Sequence, residues 1–423
     1  MTPAGRAPDR LGSGTSAPGE PIARVARGAV PAPAKRLLWI TPKWPLPAND
    51  GARQATTQLV AGLCSRGAII DLLAIVPEGE PASEREAIEV LGVARASLIR
   101  RPKSGRARHL RNLGRHPLRA VTLAQYSNKA LSQRLNEVVC EPETVAVFDG
   151  LHAAAWLYEM DTWPDVPFIY RAHNVESDLW VRAAARKRGP AAWLLNWQGH
   201  VVRKFETRLC QSAQRVLTVS DEDAARFRSL AETAHVDTLR IGMDPKPQRE
   251  HPADGTQILF IGRLDWPPNR DGLKWFLDRV WPKVKGPFTL NIVGSGDGSW
   301  LTPHLRDSRI KFHGMVDSVT PYYHAAIVNI VPIFYGSGTR VKAIESSLFA
   351  TACVGTEQGL EGLGFDPKRH YFRAESEAEW VEALNALDPE AARERGRNAL
   401  ELAAEGYDRD RIADQFLQTM GEL

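Results

Sequence analysis

The chain has 423 residues, which is too long for one compact core and suits two domains of ordinary size. Apolar residues make up 43% and charged residues 25%, and Gly (33) and Pro (29) are too few for a fibrous protein. The net charge is only +4, and no apolar run approaches the ~20 residues that span a bilayer, so a membrane-embedded chain is not expected.

The first predicted domain follows a tail of different composition. Residues 1–34 are rich in Pro, Gly, Ala and Arg without apolar periodicity, which predicts a disordered segment. Residues 35–242 then alternate short β-rich runs with longer helical ones, such as 51–67, and this alternation predicts a parallel sheet covered on both faces. The strands are expected at Arg36–Ile40, Ile69–Val76, Val145–Phe148, Pro167–Ala172 and Arg215–Thr218.

A polar, Pro-containing segment at 243–255 is typical of an interdomain linker. The alternation resumes through 256–405, and 406–423 is predicted to form a C-terminal helix available to pack back on the first domain. Together the two halves predict an α/β fold of two Rossmann-like, doubly wound domains that face a cleft. Further strands are expected at Gln257–Ile261, Leu290–Val293, Val328–Pro332 and Ala352–Gly355, with helices near 269–284 and 339–350.

The sequence YGSGTRVKAIE, at 335–345, carries the strongest chemical signal. Two glycines permit a tight turn, and two cations then fall in the first turn of a helix, where they oppose its dipole by ~0.3–1 kcal/mol each. A bound phosphate or diphosphate reverses that penalty, and Glu345 one turn later can accept hydrogen bonds from ribose hydroxyls. The alternative is a plain turn with a Lys342–Glu345 ion pair. The predicted phosphate-binding residues are Gly336, Ser337, Gly338, Thr339 (as N-cap), Arg340 and Lys342.

Other candidates follow predicted strands, where ligands of open sheets bind. In the second domain Arg263 is a candidate phosphate ligand, Asn269 a second donor or a helix cap, and Trp266 and Trp275 are expected to pack. In the first domain Gly51 opens a helix and can let a ligand approach, and Arg53 can reach an anion; the alternative is a plain turn with a surface arginine. His173, Asn174 and Glu176 follow another predicted strand and are expected at the edge of the cleft.

A basic stretch lies between Arg100 and Arg119, with eight Lys or Arg and no acid. Peripheral contact with an anionic membrane or a phosphorylated acceptor is one interpretation, and a solvated face is the other. No nucleic-acid motif accompanies the stretch, so a nucleic-acid partner is not expected. Four widely spaced cysteines without a CxxC pair predict free thiols in a reducing cytoplasm.

The order of these motifs over 36–420 resembles a GT-B glycosyltransferase of the family 4 type. The resemblance rests on the Gly51 loop and on YRAHNVES, LTVSDEDAARF (217–227), IGMD (241–244), FIGRLDWPPN, LNIVGSGD, GSGTRVKAIE and GLEGL (359–363). It implies a UDP- or GDP-sugar donor held by the second domain, a glycan, lipid-linked or small-molecule acceptor on the first, and transfer with retention. It also implies that neither a cofactor nor a metal is needed.

The resemblance also implies roles for individual residues. Glu345 matches the family's ribose-binding glutamate and His173 the histidine near the transferred sugar, and both are expected to be catalytic. Gly51 is expected on the donor side, and Arg53, Asn174 and Glu176 are expected on the acceptor side. Ser337 stands where the family commonly has a first glutamate, and Pro268 where it commonly has a lysine. Polysaccharide or cell-envelope biosynthesis is the implied setting. The alternatives are a sugar-nucleotide epimerase on the same fold and a non-catalytic sugar-nucleotide or glycan-binding subunit.

Overall fold

The computed structural model describes residues 36–102, 120–126, 132–133, 135–137, 144–160, 162–163, 165–185, 187–248, 255–336 and 340–422. The predicted tail at 1–34, most of the basic 100–119 stretch and Ser337, Gly338 and Thr339 therefore lie outside the described residues. Within the described ranges, no helix has both the length and the apolar character needed to cross a membrane.

The first half of the chain forms a parallel sheet whose strands are β1 (Arg36–Thr41), β2 (Ile70–Pro77), β3 (Arg95–Arg101), β4 (Thr144–Asp149), β5 (Phe168–Ala172), β6 (Arg215–Thr218) and β7 (Val236–Thr238). Their order across the sheet is β3-β2-β1-β4-β5-β6-β7. Central strands such as β4 are buried along their whole length because helices cover both faces. The helices are α1 (Gly51–Cys64), α2 (Glu84–Leu91), α3 (Glu176–Ala184), α4 (Pro190–Ser212) and α5 (Asp221–Leu230).

The second half repeats this architecture with the strands β8 (Gln257–Ile261), β9 (Thr289–Val293), β10 (Ile310–Gly314), β11 (Ala326–Val331), β12 (Ala352–Gly355) and β13 (Tyr371–Arg373). Their order is β10-β9-β8-β11-β12-β13, again all parallel. The helices are α6 (Pro267–Trp275), α7 (Thr320–Ala325), α8 (Val341–Leu348), α9 (Glu377–Asn385), α10 (Pro389–Gly406) and α11 (Arg409–Gly421).

The predicted α/β fold with two doubly wound parallel sheets is confirmed, although the helix expected over 269–284 is wrong in detail. It is α-helical only to Trp275 and continues as a π-helical turn, Phe276–Val280, and a short 3-10 turn. Pro282 in that last turn has no amide to continue an α-helix. The sequence reasoning also missed β3, β7, β10 and β13.

The last helix, α11, packs on the first sheet rather than on the second. Phe416 is fully buried with its ring centroid 5.8 Å from that of Trp39 in β1. Arg66, just beyond α1, bonds to Asp414 and lies 3.0 Å from Asp410. A Cβ added to Gly62 of α1 would lie 3.2 Å from the Ala413 Cβ, so the two helices are in close contact.

The chain crosses between the lobes twice, near Met243 and near Asp408, and these two segments lie side by side. The Met243 amide donates to the Tyr407 carbonyl (2.7 Å), and the Arg409 amide donates to the Met243 carbonyl (3.1 Å). A Cβ on Gly242 would come within 2.8 Å of the Arg409 Cα, so the close approach requires glycine. The passages are therefore joined to each other by backbone hydrogen bonds.

Candidate functional site

The carboxyl ends of the two sheets border one cavity of about 480 Å³. The first lobe contributes the segment after β1, the start of α1 and the segment after β5, and the second contributes the segment after β8 and the start of α8. Among the described residues, no group of three or more His, Cys, Asp or Glu side chains is arranged to hold a metal ion. The polar lining includes Lys43, Asn49, Asp50, Gln54, His173, Asn174, Arg263, Asp265, Asn269, Arg340, Lys342 and Glu345.

Helix α8 brings the two predicted cations to the cavity, but it begins later than expected. Its first residue is Val341 and its N-cap is Arg340 (φ −81°, ψ 70°), so the prediction of Thr339 as N-cap is wrong. The Arg340 side chain turns into the protein, where Nε donates to the Gln358 carbonyl (3.1 Å). Burial lowers the pKa of Arg340 to about 10, although the charge of Glu361 opposes that shift.

Lys342 lies in the first turn of α8 and contacts the second predicted donor. Its Nζ donates to Asn269 Oδ1 and lies 4.9 Å from the centre of the Phe260 ring. Asn269 in turn donates to the Arg263 carbonyl (3.0 Å), so it joins α6 to the segment after β8 rather than capping a helix. Burial, together with the charge of Arg340, lowers the pKa of Lys342 to about 7. Lys342 is therefore partly neutral at neutral pH, and an anion bound in the cavity would favour its protonated form.

Glu345, one turn along α8, is only 7% exposed. Its Oε1 lies 3.5 Å from Lys246 Nζ, and its Oε2 accepts from the Tyr323 hydroxyl (3.4 Å). Burial raises the pKa of Glu345, while the charge of Lys246 opposes the rise. The carboxylate is thus held at the cavity wall by Lys246 and Tyr323, rather than in the alternative ion pair with Lys342.

Arg263 connects the two walls of the cavity. Its guanidinium pairs with Asp265 in two contacts (2.6 and 3.0 Å), and its Nη1 lies 3.9 Å from Asp50 Oδ2 in the first lobe. Asp50 is the N-cap of α1 and accepts from the Arg53 amide (2.9 Å). Arg263 is 42% exposed along its side chain, so an incoming anion can compete with these carboxylates.

His173, directly after β5, is held by a buried carboxylate that the sequence reasoning missed. Its Nε2 lies 2.7 Å from Asp149 Oδ1, and the Arg171 guanidinium donates to the same oxygen (2.7 Å). The other oxygen accepts from Trp39 Nε1 (3.1 Å) and Thr56 Oγ1 (2.5 Å). Burial raises the pKa of Asp149, but these partners outweigh it and hold the pKa well below its usual range.

Three first-lobe predictions have different outcomes. Helix α1 begins at Gly51 as predicted, and a Cβ there would lie 3.2 Å from Val341 Cγ2, so the starts of α1 and α8 approach each other closely. Arg53 does not line the cavity, because its side chain bonds Asp50, Glu80 and the Trp44 carbonyl. Asn174 does line it.

Glu176 begins α3 and likewise does not line the cavity. Its amide donates to a carboxylate from α4, Glu206 (2.9 Å), which also accepts from the Ser177 amide (3.2 Å) and hydroxyl (2.7 Å). Burial raises the pKa of Glu206 to about 8, although these hydrogen bonds oppose the rise. A buried carboxyl thus caps the helix that follows His173 and Asn174.

Several cavity residues could have been found from the rule that parallel strands end at one edge of the sheet. Lys43 follows β1 and lines the cavity, whereas Asp149, the buried partner of His173, ends β4 without lining it; neither was singled out. Trp266 was expected to pack, but it lines the cavity and is 37% exposed, whereas Trp275 packs against Phe334 (4.7 Å between ring centroids). No pattern in the sequence links Lys246 to Glu345.

Comparison with known proteins gives a family match for the second lobe. Residues 255–387 match the family model described as "Glycosyl transferases group 1". A curated relative from Klebsiella pneumoniae, "Uncharacterized 44.6 kDa protein in cps region", is 20% identical over 89% of this chain and 97% of its own length.

Solved structures share the whole fold at low identity. Sucrose-phosphate synthase from Thermosynechococcus elongatus superimposes with a TM-score of 0.67 at 16% identity, over 91% of this chain and 98% of that one. HepE from Anabaena, solved in complex with UDP and glucose, gives a TM-score of 0.63 at 14% identity, over 92% of this chain and 100% of that one. The fold is therefore that of the GT-B glycosyltransferases.

Proposed function

We propose that this GT-B protein, whose second lobe matches the group 1 glycosyl transferases, moves a sugar from a UDP- or GDP-sugar to an acceptor with retention at the anomeric carbon. The observation that carries the proposal is the pair of cations at the start of α8 on the cavity wall, the buried Arg340 and the partly buried Lys342. Burial disfavours both charges in the absence of an anion, and a nucleoside diphosphate supplies the missing negative charge.

Donor binding follows from the arrangement of the second-lobe wall. The diphosphate is assigned to Arg340, Lys342 and Arg263, with the amides at the starts of α1 and α8 as further donors. Ribose hydroxyls are assigned to Glu345, whose carboxylate is already fixed by Lys246 and Tyr323. Arg263 exchanges its contact with Asp265 for the more highly charged diphosphate. HepE, solved with UDP, lends support to a uridine nucleotide as the donor class.

Catalysis is assigned to the stabilisation of the departing diphosphate. Cations fixed in advance around a leaving group lower the barrier most, because they need no reorganisation as charge develops. These cations take the part that a metal plays in other transferases, so the proposal includes transfer without metal. His173 is assigned to the transferred sugar, with Asp149 and Arg171 holding the imidazole in place.

The proposed setting is assembly of a polysaccharide or cell-envelope glycan. The Klebsiella pneumoniae relative, named for the cps region, lends support to this setting. We place the reaction in the cytoplasm, where the free thiols of Cys64, Cys210 and Cys353 remain reduced. Peripheral contact with an anionic membrane through the 100–119 stretch remains part of the proposal, since acceptors of this class include lipid-linked glycans.

The first experiment is a thermal-shift series with UDP, GDP, ADP, NAD⁺ and several nucleotide sugars, in the presence of a metal chelator. A ligand at 100 times its dissociation constant stabilises the fold by ~2.7 kcal/mol, which such a series detects. Selective stabilisation by UDP or GDP is the expected result. A shift with NAD⁺ alone, or no shift with any nucleotide, would refute the donor site.

A matched pair of variants tests whether Arg340 binds the nucleotide. Arg340→Ala is expected to abolish the nucleotide shift, whereas Arg270→Ala, which removes an exposed arginine of α6 outside the cavity, is expected to retain it. Circular dichroism of both variants verifies the fold. Wild-type nucleotide affinity in Arg340→Ala would remove the diphosphate assignment.

Product analysis separates the proposal from its two rivals. A sugar-nucleotide epimerase converts the donor with no acceptor present, and a binding subunit binds the donor yet leaves it unchanged when acceptors are supplied. A transferase consumes the donor and gives a new glycoside only with an acceptor.

A further inference from the structure

The hairpin formed by α3 and α4 carries an exposed apolar surface that the proposed reaction does not use. Trp193, in the first turn of α4, is 67% exposed, and Val181 on α3 is 51% exposed. The Trp193 ring stacks on that of Trp197, with 6.2 Å between centroids and 14° between planes. A Cβ added to Gly199 of α4 would lie 3.5 Å from Val181 Cγ2, so the two helices of the hairpin pack closely against each other.

The charged residues within the hairpin are basic. From 179 to 205 the sequence has six Lys or Arg and no acid. Lys187 and Arg188, at the turn between the helices, are exposed. The flanking acids are engaged elsewhere, since Asp178 lies 3.8 Å from Arg226 and Glu206 caps α3.

We propose that the α3–α4 hairpin, through Trp193, Lys187 and Arg188, docks on the surface of an anionic lipid bilayer. Indole rings partition to the boundary between headgroups and acyl chains, because their apolar body leaves water while the N–H keeps a polar partner. Each Lys or Arg near an anionic membrane strengthens binding by about fivefold, an effect that screening by salt removes. The two contributions meet on one exposed surface.

The position of the hairpin gives this contact a consequence for the cavity. Helix α3 begins three residues after His173, and Arg182 on α3 donates from Nη1 to the Gly336 carbonyl of the second lobe (3.1 Å). Docking of the hairpin therefore brings the entrance of the cavity close to the lipid surface. The inference stands apart from the transferase activity, and its test measures binding alone.

Vesicle flotation of the full chain tests the proposal. We expect the protein to float with vesicles of phosphatidylglycerol and phosphatidylcholine at low salt, but not with phosphatidylcholine alone or at high salt. Trp193→Ser is expected to weaken binding about tenfold or more, because it removes the apolar indole area that the membrane would bury. Lys187→Glu with Arg188→Glu is expected to weaken it at least about 25-fold.

Matched variants on the second lobe control for general loss of apolar area or charge. Met315→Ser removes a side chain that is 74% exposed, and Lys285→Glu with Lys311→Glu reverses two exposed charges. Both controls are expected to float like the wild type. Equal binding by the hairpin variants and the wild type would overturn the proposal, as would loss of flotation only when the basic residues of 100–119 are replaced. Failure to float with any lipid would also overturn it.

Discussion

Nucleotide binding is expected to take up a proton at Lys342. The ammonium is enclosed by Asn269, Phe260 and Arg340, which lowers its pKa to about 7 in the empty cavity. Beside a diphosphate the same group should return to its ordinary value of ~10.4 or above, because an adjacent anion favours the charged form. The amine then binds a proton that it lacks in the empty site.

The magnitude follows from these two pKa values. At pH 8 about nine in ten molecules of the free protein hold Lys342 neutral, so each nucleotide bound takes up ~0.9 proton. The apparent dissociation constant therefore rises with pH, by about 25-fold between pH 7.5 and pH 9, where the diphosphate itself stays fully ionised. This corresponds to ~1.9 kcal/mol of binding free energy.

Isothermal titration calorimetry of UDP in buffers of different ionisation enthalpy measures the proton uptake directly. Lys342→Arg keeps a permanent charge and should bind UDP with no uptake, whereas Lys342→Met should bind more weakly at every pH. Tight UDP binding by the wild type with no proton uptake and a flat pH profile would refute proton uptake at Lys342, whereas absence of binding by both UDP and GDP would refute the donor site itself.

Three further predictions concern stability. Asp149→Asn leaves the buried Arg171 without its carboxylate and should lower the free energy of urea unfolding by ~3–5 kcal/mol. Arg171→Met added to Asp149→Asn should recover part of that loss, because it removes the unpaired buried charge. If the losses of the two single variants simply add in the double variant, the pairing is contradicted. Phe416→Ala should cost ~3–5 kcal/mol by opening a cavity beside Trp39, and a cost below ~1 kcal/mol would contradict the packing of α11. The pKa of Glu206 is raised to about 8 in the fold, so this group alone should lower the unfolding free energy by ~4 kcal/mol as the pH rises from 5 to 9. Lys342, whose pKa is lowered to about 7, acts in the opposite direction above pH 7, so the contribution of Glu206 is the difference in pH dependence between the wild type and Glu206→Gln, and equal pH dependence in the two would contradict it.

The fold was largely predictable because its central strands are continuous apolar runs. Gln257–Ile261 and Ala352–Gly355 are observed with the bounds that the sequence predicts. The missed strand β3, RASLIRR, lies at the edge of its sheet with its charged residues mostly exposed, so its composition does not separate it from a loop. β13 is three residues long, which is too short for periodicity to register.

The site was predictable only as far as the strand-end rule extends. That rule places His173, Arg263 and Lys342 at one cavity, as observed. The partners that set their chemistry come from distant parts of the chain: Trp39 is 110 residues from Asp149, and Lys342 is 73 residues from Asn269. No local pattern encodes such contacts, because they depend on how the helices pack on each sheet.

The packing of α11 on the first sheet means that the first lobe is discontinuous in sequence. Residues 36–242 produced alone would leave an apolar face without its cover, the face that Ile412, Phe416 and Met420 occupy in the full chain. We therefore expect that fragment to associate with itself and to be rescued by a separate peptide spanning 407–422. A chain truncated at the end of α10 would lose α11, and with it part of the first lobe's core, but it would keep every strand of the second sheet.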